Sequence, residues 1–294
     1  MNNLIKMSQW RHNPLNDYLF YKVMGEKGDE VQLLGFLNAV LGHSGKKQLA
    51  SLTILENKSF SPAIIGDKTS VLDVRAVLHN GTKVNIEVQL RNQGNMDKRS
   101  LFYISREFVK GIKSGQDYRE LPDVIAINIM GFEFLPAGEF HTCFHLREDS
   151  DRDIILTKSL EIHFLDMVKY RRVARKGMMD DPLSRWMAWL NEKSPPELIA
   201  EVVNMDSAIQ AADERMVYVT GDDEAIRAYE MRQMALSDYT STINYARDEG
   251  MTKGMEKGMT KSTLEIARKM KNAGRPFSEI QEFTGLSIET IKRM

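Results

Sequence analysis

The spacing of apolar positions along the chain changes period several times, and each change predicts a different kind of element. From 14 to 41 the spacing is helical: Leu19, Phe20 and Val23 recur on one side, after Pro14 and an Asn16 suited to cap a first turn. A second helix is predicted from about Asp29 to Leu41, with Gly42 to stop it. The period then shortens to two, predicting strands over 51–55, 70–78 and 83–90. A long amphipathic helix follows over 97–113, closed by Ser114 and Gly115. Pro122 precedes the apolar run 124–130, which reads as a buried strand, and further strands are expected over 140–146 and 160–168. After Asp180 the pattern is helical. The order helices, three strands, helix, strand predicts an α/β fold with a mixed sheet flanked by helices, followed by a helical C-terminal region. We divide the chain into a core domain over 1–180, a helical extension over 181–249 and a tail over 250–294.

Within 70–91 the alternation is sharp enough to set a register. Leu72, Val74, Ala76 and Leu78 share one face of the first strand, and Val84, Ile86, Val88 and Leu90 one face of the second. Asp73, Arg75, Asn85, Glu87 and Gln89 fall on the other face. A two-residue turn at Asn80-Gly81 would set Asp73 opposite Val88 and mix the faces. A three-residue loop, 79–81 with Gly81 left-handed, pairs Leu78 with Thr82 and Asp73 with Glu87. Two carboxylates facing each other across a hairpin repel, and a divalent cation relieves the repulsion. Magnesium suits such a pair, since it accepts one or two carboxylates, water and phosphate oxygens. By pattern alone, though, two acids on the wet side of a hairpin most often mark solvated surface.

Composition narrows the field. Forty Lys and Arg against 41 Asp and Glu give a net charge of −1, so any nucleic-acid role needs locally concentrated positive charge. No apolar run reaches membrane-spanning length, and the first residues have no signal-peptide core; a cytoplasmic protein is the simplest expectation. The single cysteine, Cys143, allows no intrachain disulfide, and no Cys-based zinc site is expected to form.

Four segments carry a more specific signal: NPLNDYLFYKVMG, SVLDVRAVLHNGTKVNIEVQL, KRSLFYISREFVKGIKSGQDYRELPDVIAINIM and LEIHFLDMVKY, in that order. Together they resemble the Rpn family of recombination-promoting nucleases, also labelled putative transposases, within the PD-(D/E)XK superfamily. The resemblance is close over about residues 10–170. It implies a restriction-endonuclease-like core and a DNA endonuclease that uses Mg²⁺, with Mn²⁺ or Ca²⁺ as substitutes. Double-stranded DNA is then the partner, and a homodimer is possible. By the same resemblance Asp73 is the strand aspartate, Glu87 and Gln89 stand for the ExK pair, and Asp17 matches an N-terminal acidic position able to complete the metal shell. A helix-start acid favoured by the macrodipole explains Asp17 equally well. Gln89 departs from the superfamily's lysine: it can hydrogen-bond a water but brings no charge. That implies slower chemistry, or a lysine recruited from Lys83 or Lys98. It also motivates an alternative, a DNA-binding or assembly protein with a degenerate nuclease core.

On the helix over 97–113, Arg99, Tyr103, Arg106, Lys110 and Lys113 form one stripe, either a phosphate track or a solvated face. His141 and His145 alternate in a strand and face one side; with no further ligand set evident, they read as structural histidines, as do His79 and His163. In the tail, GMTKGMEKGMTK repeats every four residues. If helical it stacks Met251, Met255 and Met259, but its glycines each weaken a helix by roughly 1 kcal/mol, so a hinge, a close helix contact or a flexible connector are all open. A helix over 263–271 follows, then a short one with a Ser278/Gln281 capping box and a last one capped by Ser287, around Gly285. This resembles helix-turn-helix geometry; from Arg247 onward ten basic against seven acidic residues leave +3. A helical hairpin for oligomerisation is the competing interpretation.

Overall fold

The computed structural model describes residues 11–55, 74–174 and 178–294. The chain divides into two compact units, Met1–Gln233 and Met234–Met294.

The first unit begins with α1 (Asp17–Met24), where Asn16 Oδ1 accepts from the amides of Tyr18 and Leu19 as its side-chain chemistry predicts. α2 (Glu30–Val40) ends just before Gly42, whose φ of 64° is open to glycine without strain. The sheet is built from β1 (Leu52–Leu55), β2 (Val74–Leu78), β3 (Lys83–Gln89), β4 (Val124–Met130), β5 (His141–Arg147) and β6 (Ile155–Asp166). Its order is β1-β2-β3-β4-β6-β5. β1, β2 and β3 pair antiparallel, β3, β4 and β6 parallel, and β5 returns antiparallel along β6 at the edge. α3 (Met96–Val109) lies in the connection between β3 and β4, as a parallel crossover requires.

Side-chain alternation explains both faces. Val84 and Ile86 of β3, Ile127 and Ile129 of β4 and Leu165 of β6 join the large core with Leu19, Phe20, Leu33 and Phe36. The other face is covered by α3: Ile104 packs on Val124 and Ala126, and Met96 on Met130 and Phe164. α4 (Met167–Val173), α5 (Pro182–Leu190), α6 (Pro196–Met205) and α7 (Ser207–Thr220) complete the unit. Trp186, Trp189 and Ile209 are fully buried in the same cluster as Leu19 and Ile86, so residues on both sides of position 180 share one core.

Several elements differ from expectation. The predicted strand over 160–168 starts earlier, at Ile155, and stops at Asp166, whose carboxylate caps α4 through the amides of Val168 and Lys169. α3 ends at Val109 rather than near 113. Gly111 then lies so close to Pro122 that an added Cβ would stand 2.2 Å from the ring Cδ. Leu101, Phe102 and Val109 of this amphipathic helix are exposed. Helix α8 (Asp223–Asn272) runs through the glycine repeat without a break. The helix predicted over 263–271 is the end of α8.

In the second unit α8 ends at Asn272, Gly274 follows with φ 73°, and then come α9 (Phe277–Thr284) and α10 (Ile288–Arg293). Ala267, Ile280 and Ile291 form its small core. The Ser278/Gln281 capping box is absent: Pro276 occupies the cap position of α9 and no side chain caps it. Ser287 does cap α10, its Oγ accepting from the amide of Thr290. Among the described residues no helix is long and apolar enough to cross a membrane.

Candidate active site on the third strand

The hairpin closes as the alternation demands. Gly81 donates to Leu78 O at 2.9 Å with φ 87°, Leu78 donates to Thr82 O at 2.9 Å, and the register runs Val77↔Lys83, Ala76↔Val84, Arg75↔Asn85, Val74↔Ile86. This is the three-residue connection. Asp73, the residue before Val74, lies outside the described residues.

The polar face of β3 is not wet. Glu87 is 1% exposed and Asn85 7%, because α3 covers this side of the sheet. The expectation of a solvated acidic face is therefore corrected: the carboxylate is buried, and a buried charge needs partners. It has two. Gln89 Nε2 donates to Glu87 Oε1 at 2.8 Å, and the Arg99 guanidinium donates to the same oxygen through Nε at 2.8 Å and through Nη2. The Arg99 guanidinium also stacks on Tyr103, 5.2 Å from the ring centroid. Burial raises the Glu87 pKa above the ordinary glutamate value, and the charge and hydrogen bonds of Arg99, then that of Gln89, pull against it.

The neighbouring strand adds a polar group that the sequence reading passed over. Asn128 of β4 is the register partner of Glu87 and is 2% exposed. It accepts from Ser100 Oγ of α3 at 3.2 Å and donates to His163 O at 3.2 Å. The available signal was a lone amide inside the apolar run VIAINIM.

The remaining candidates are dispersed. Arg99 faces Glu87 instead of continuing the cationic stripe. Arg106 is exposed, Lys110 is the C-cap of α3 and pairs with Glu107 at 3.3 Å, and Lys113 lies beyond the helix. Lys83 Nζ reaches the Glu107 carbonyl at 3.4 Å, and Lys98 is exposed on the first turn of α3. Asp17 is ion-paired with Arg232; burial raises its pKa and the Arg232 charge opposes the rise. Arg232 also lines a cleft of about 590 Å³ with Tyr18, Lys22, Glu26 and Arg215. Glu87, Gln89, Arg99 and Tyr103 thus form one constellation, while the described contacts of Asp17 belong to another.

The groups around Glu87 offer a metal oxygen only, from the Glu87 carboxylate and the Gln89 side-chain carbonyl, since the Gln89 and Arg99 nitrogens are hydrogen-bond donors. Such a carboxylate can hold a hard divalent cation, and the amide of Gln89 can orient a water beside it. A family model described as PD-(D/E)XK nuclease family transposase matches residues 14–246, which takes in the whole of this constellation. No curated protein and no solved structure matches the chain significantly. The mixed six-stranded sheet with helices on both faces fits the restriction-endonuclease-like fold that the match implies, and the match points to nuclease or transposase-like function. The chain belongs to the PD-(D/E)XK nuclease family transposases.

Proposed function

We propose that the protein is a divalent-metal-dependent DNA endonuclease that hydrolyses phosphodiester bonds, serving DNA recombination or a mobile element. The observation that carries this reading is the buried Glu87 carboxylate on β3, with Gln89 two residues on and Arg99 beside it. A buried carboxylate whose pKa is raised by burial, on a strand beside a cation, is typical of groups tuned for chemistry.

In this reading Glu87 and Asp73 hold Mg²⁺, and Asp17 is a third acid to be tested. The bound cation would supply a polarised water and charge stabilisation for the phosphodiester transition state. Gln89 positions the water by hydrogen bonding and does not act as its base, since an amide cannot take the proton. Arg99 balances the Glu87 charge. Once a cation shares that carboxylate, the guanidinium is available to a phosphate oxygen, for which its fork geometry is suited. Arg106, Lys110 and Lys113 extend cationic contact along the backbone, with Tyr103 among them.

The test is nicking of supercoiled plasmid by the purified chain with Mg²⁺ or Mn²⁺. Glu87→Ala and Asp73→Ala should each lose at least a hundredfold in rate while keeping the native circular dichroism spectrum. Undiminished cleavage by both variants would remove the proposed centre. Salt-sensitive DNA binding with no cleavage by the unmodified chain would favour the second reading, a DNA-binding or assembly protein with a degenerate core, which Gln89 motivates.

A further inference from the structure

A second cluster of metal-binding side chains lies on the opposite face of the sheet, where the proposed nuclease chemistry does not use it. Glu87 shares its row with Asn128 and Phe164, whereas His163 pairs with Ile127 and so projects to the other side. β5 and β6 pair antiparallel with Cys143 opposite His163. The period of two then adds His145 and His141 from β5 and Glu161 from β6 to the same face.

The distances show how tightly these groups converge. Cys143 Sγ is 3.8 Å from His163 Nε2 and 3.8 Å from His145 Nδ1. Glu161 meets His163 Nε2 through Oε1 at 2.5 Å and His145 Nε2 through Oε2 at 3.1 Å. Donor atoms of Cys143, Glu161 and His163 all lie within 4.8 Å of one another. Behind them His141 Nε2 is 2.8 Å from His163 Nδ1, with the two rings stacked. His163 is 3% exposed, Glu161 25% and His145 18%, while Cys143 opens to solvent, so an ion can enter from the sulfur side.

We propose that Cys143 Sγ, His163 Nε2 and the Glu161 carboxylate bind one borderline-soft divalent transition-metal ion of the Zn²⁺ type. Thiolate, imidazole and carboxylate together suit zinc and do not suit magnesium. In a tetrahedral zinc site, sulfur and nitrogen ligands stand roughly 3.5 Å apart, close to the 3.8 Å found here. The short Glu161–His163 contact requires a shared proton; that proton and the thiol proton of Cys143 leave to solvent when the ion binds. His141 Nε2 stands 2.8 Å from His163 Nδ1, within hydrogen-bond reach. A neutral His141 can accept from His163 Nδ1–H, fixing the tautomer that offers Nε2 to a metal. His141 is thus a positioning residue. Since β5 is the edge strand, the ion would clip it to β6.

The test uses the full chain freed of metal by chelation, titrated with Co²⁺ in the presence of excess Mg²⁺. One equivalent of Co²⁺ should produce tetrahedral d–d bands and a near-ultraviolet thiolate-to-cobalt band, and Zn²⁺ should displace it and raise the Tm. Cys143→Ser, at an accessible position, should lose the thiolate band and weaken affinity at least tenfold with an unchanged circular dichroism spectrum. His141→Phe should weaken binding by about tenfold while keeping the thiolate band. Glu87→Ala should bind Co²⁺ as the unmodified chain does, which separates this site from the nuclease centre. No thiolate band at one equivalent, or undiminished binding by Cys143→Ser, overturns the proposal.

Discussion

Glu87 shows how one residue can be read correctly in position and wrongly in surroundings. Its place on the polar side of β3 follows from Val84, Ile86 and Val88 alternating around it, and from the Asn-Gly turn that fixes the register. Its burial does not, because the cover comes from α3, and strand alternation is silent about what packs on the second face. The pairing with Arg99 makes a clear prediction. Arg99→Ala leaves a buried carboxylate without its cation and should destabilise the metal-free protein by about 3 kcal/mol near neutral pH, measured by urea unfolding. The deficit should shrink on acidification, when Glu87 takes up a proton. The pH dependence of the unmodified protein follows from the same raised pKa. A carboxyl whose folded pKa exceeds its unfolded value contributes stability below the ordinary glutamate range and loses it as pH rises through the folded value. Metal binding runs the other way, because it needs the ionised form. Affinity for Mg²⁺ or Mn²⁺ should therefore fall on acidification at a higher pH than an unperturbed glutamate would give, as read by calorimetry.

At the scale of elements, legibility depended on whether the signal was local. Asn16 capping α1, the apolar run of β4 and the Ser287 cap of α10 could all be read from neighbouring residues. The Ser278/Gln281 box could not be judged that way, because Pro276 already supplied the fixed φ that starts α9. The Cys143 cluster was equally hidden: β5 and β6 are separate in sequence, and only their antiparallel pairing brings Cys143 to His163. The glycine repeat is the sharpest case of context overriding propensity. Gly250, Gly254 and Gly258 sit inside α8 with open space where a Cβ would be. Lys253–Glu249 at 2.6 Å supports that turn only weakly. Replacing the three glycines with alanine should raise the helical ellipticity, each stabilising the segment by up to about 1 kcal/mol. A fall in ellipticity would mean that close backbone contact, not helix formation, selects glycine there.

Each of the two units has a core of its own among the described residues, the first chiefly on Leu19, Ile86, Trp186 and Ile209, the second on Ala267, Ile280 and Ile291. The strong composition shift at the repeat announced the second, but the joining of residues before and after 180 into one core needed tertiary packing. Trp189 Nε1 donating to Asp213 at 2.9 Å, across two helices, is an example that no local pattern predicts. Separate cores should melt separately. Ile280→Ala removes a fully buried side chain from the smaller one and should destabilise it by about 2–4 kcal/mol. Differential scanning calorimetry should then show a low-temperature transition moving down while the main transition stays in place. A single transition that shifts as a whole would show that the two units unfold together.

The uninterrupted passage of α8 through GMTKGMEKGMTK turns that repeat into a ruler. Each four-residue copy advances the helix by about 6 Å and overshoots a full turn by about 40°. Gain or loss of a copy would lengthen or shorten this helix in steps of that size. Neither packed interior would be disturbed.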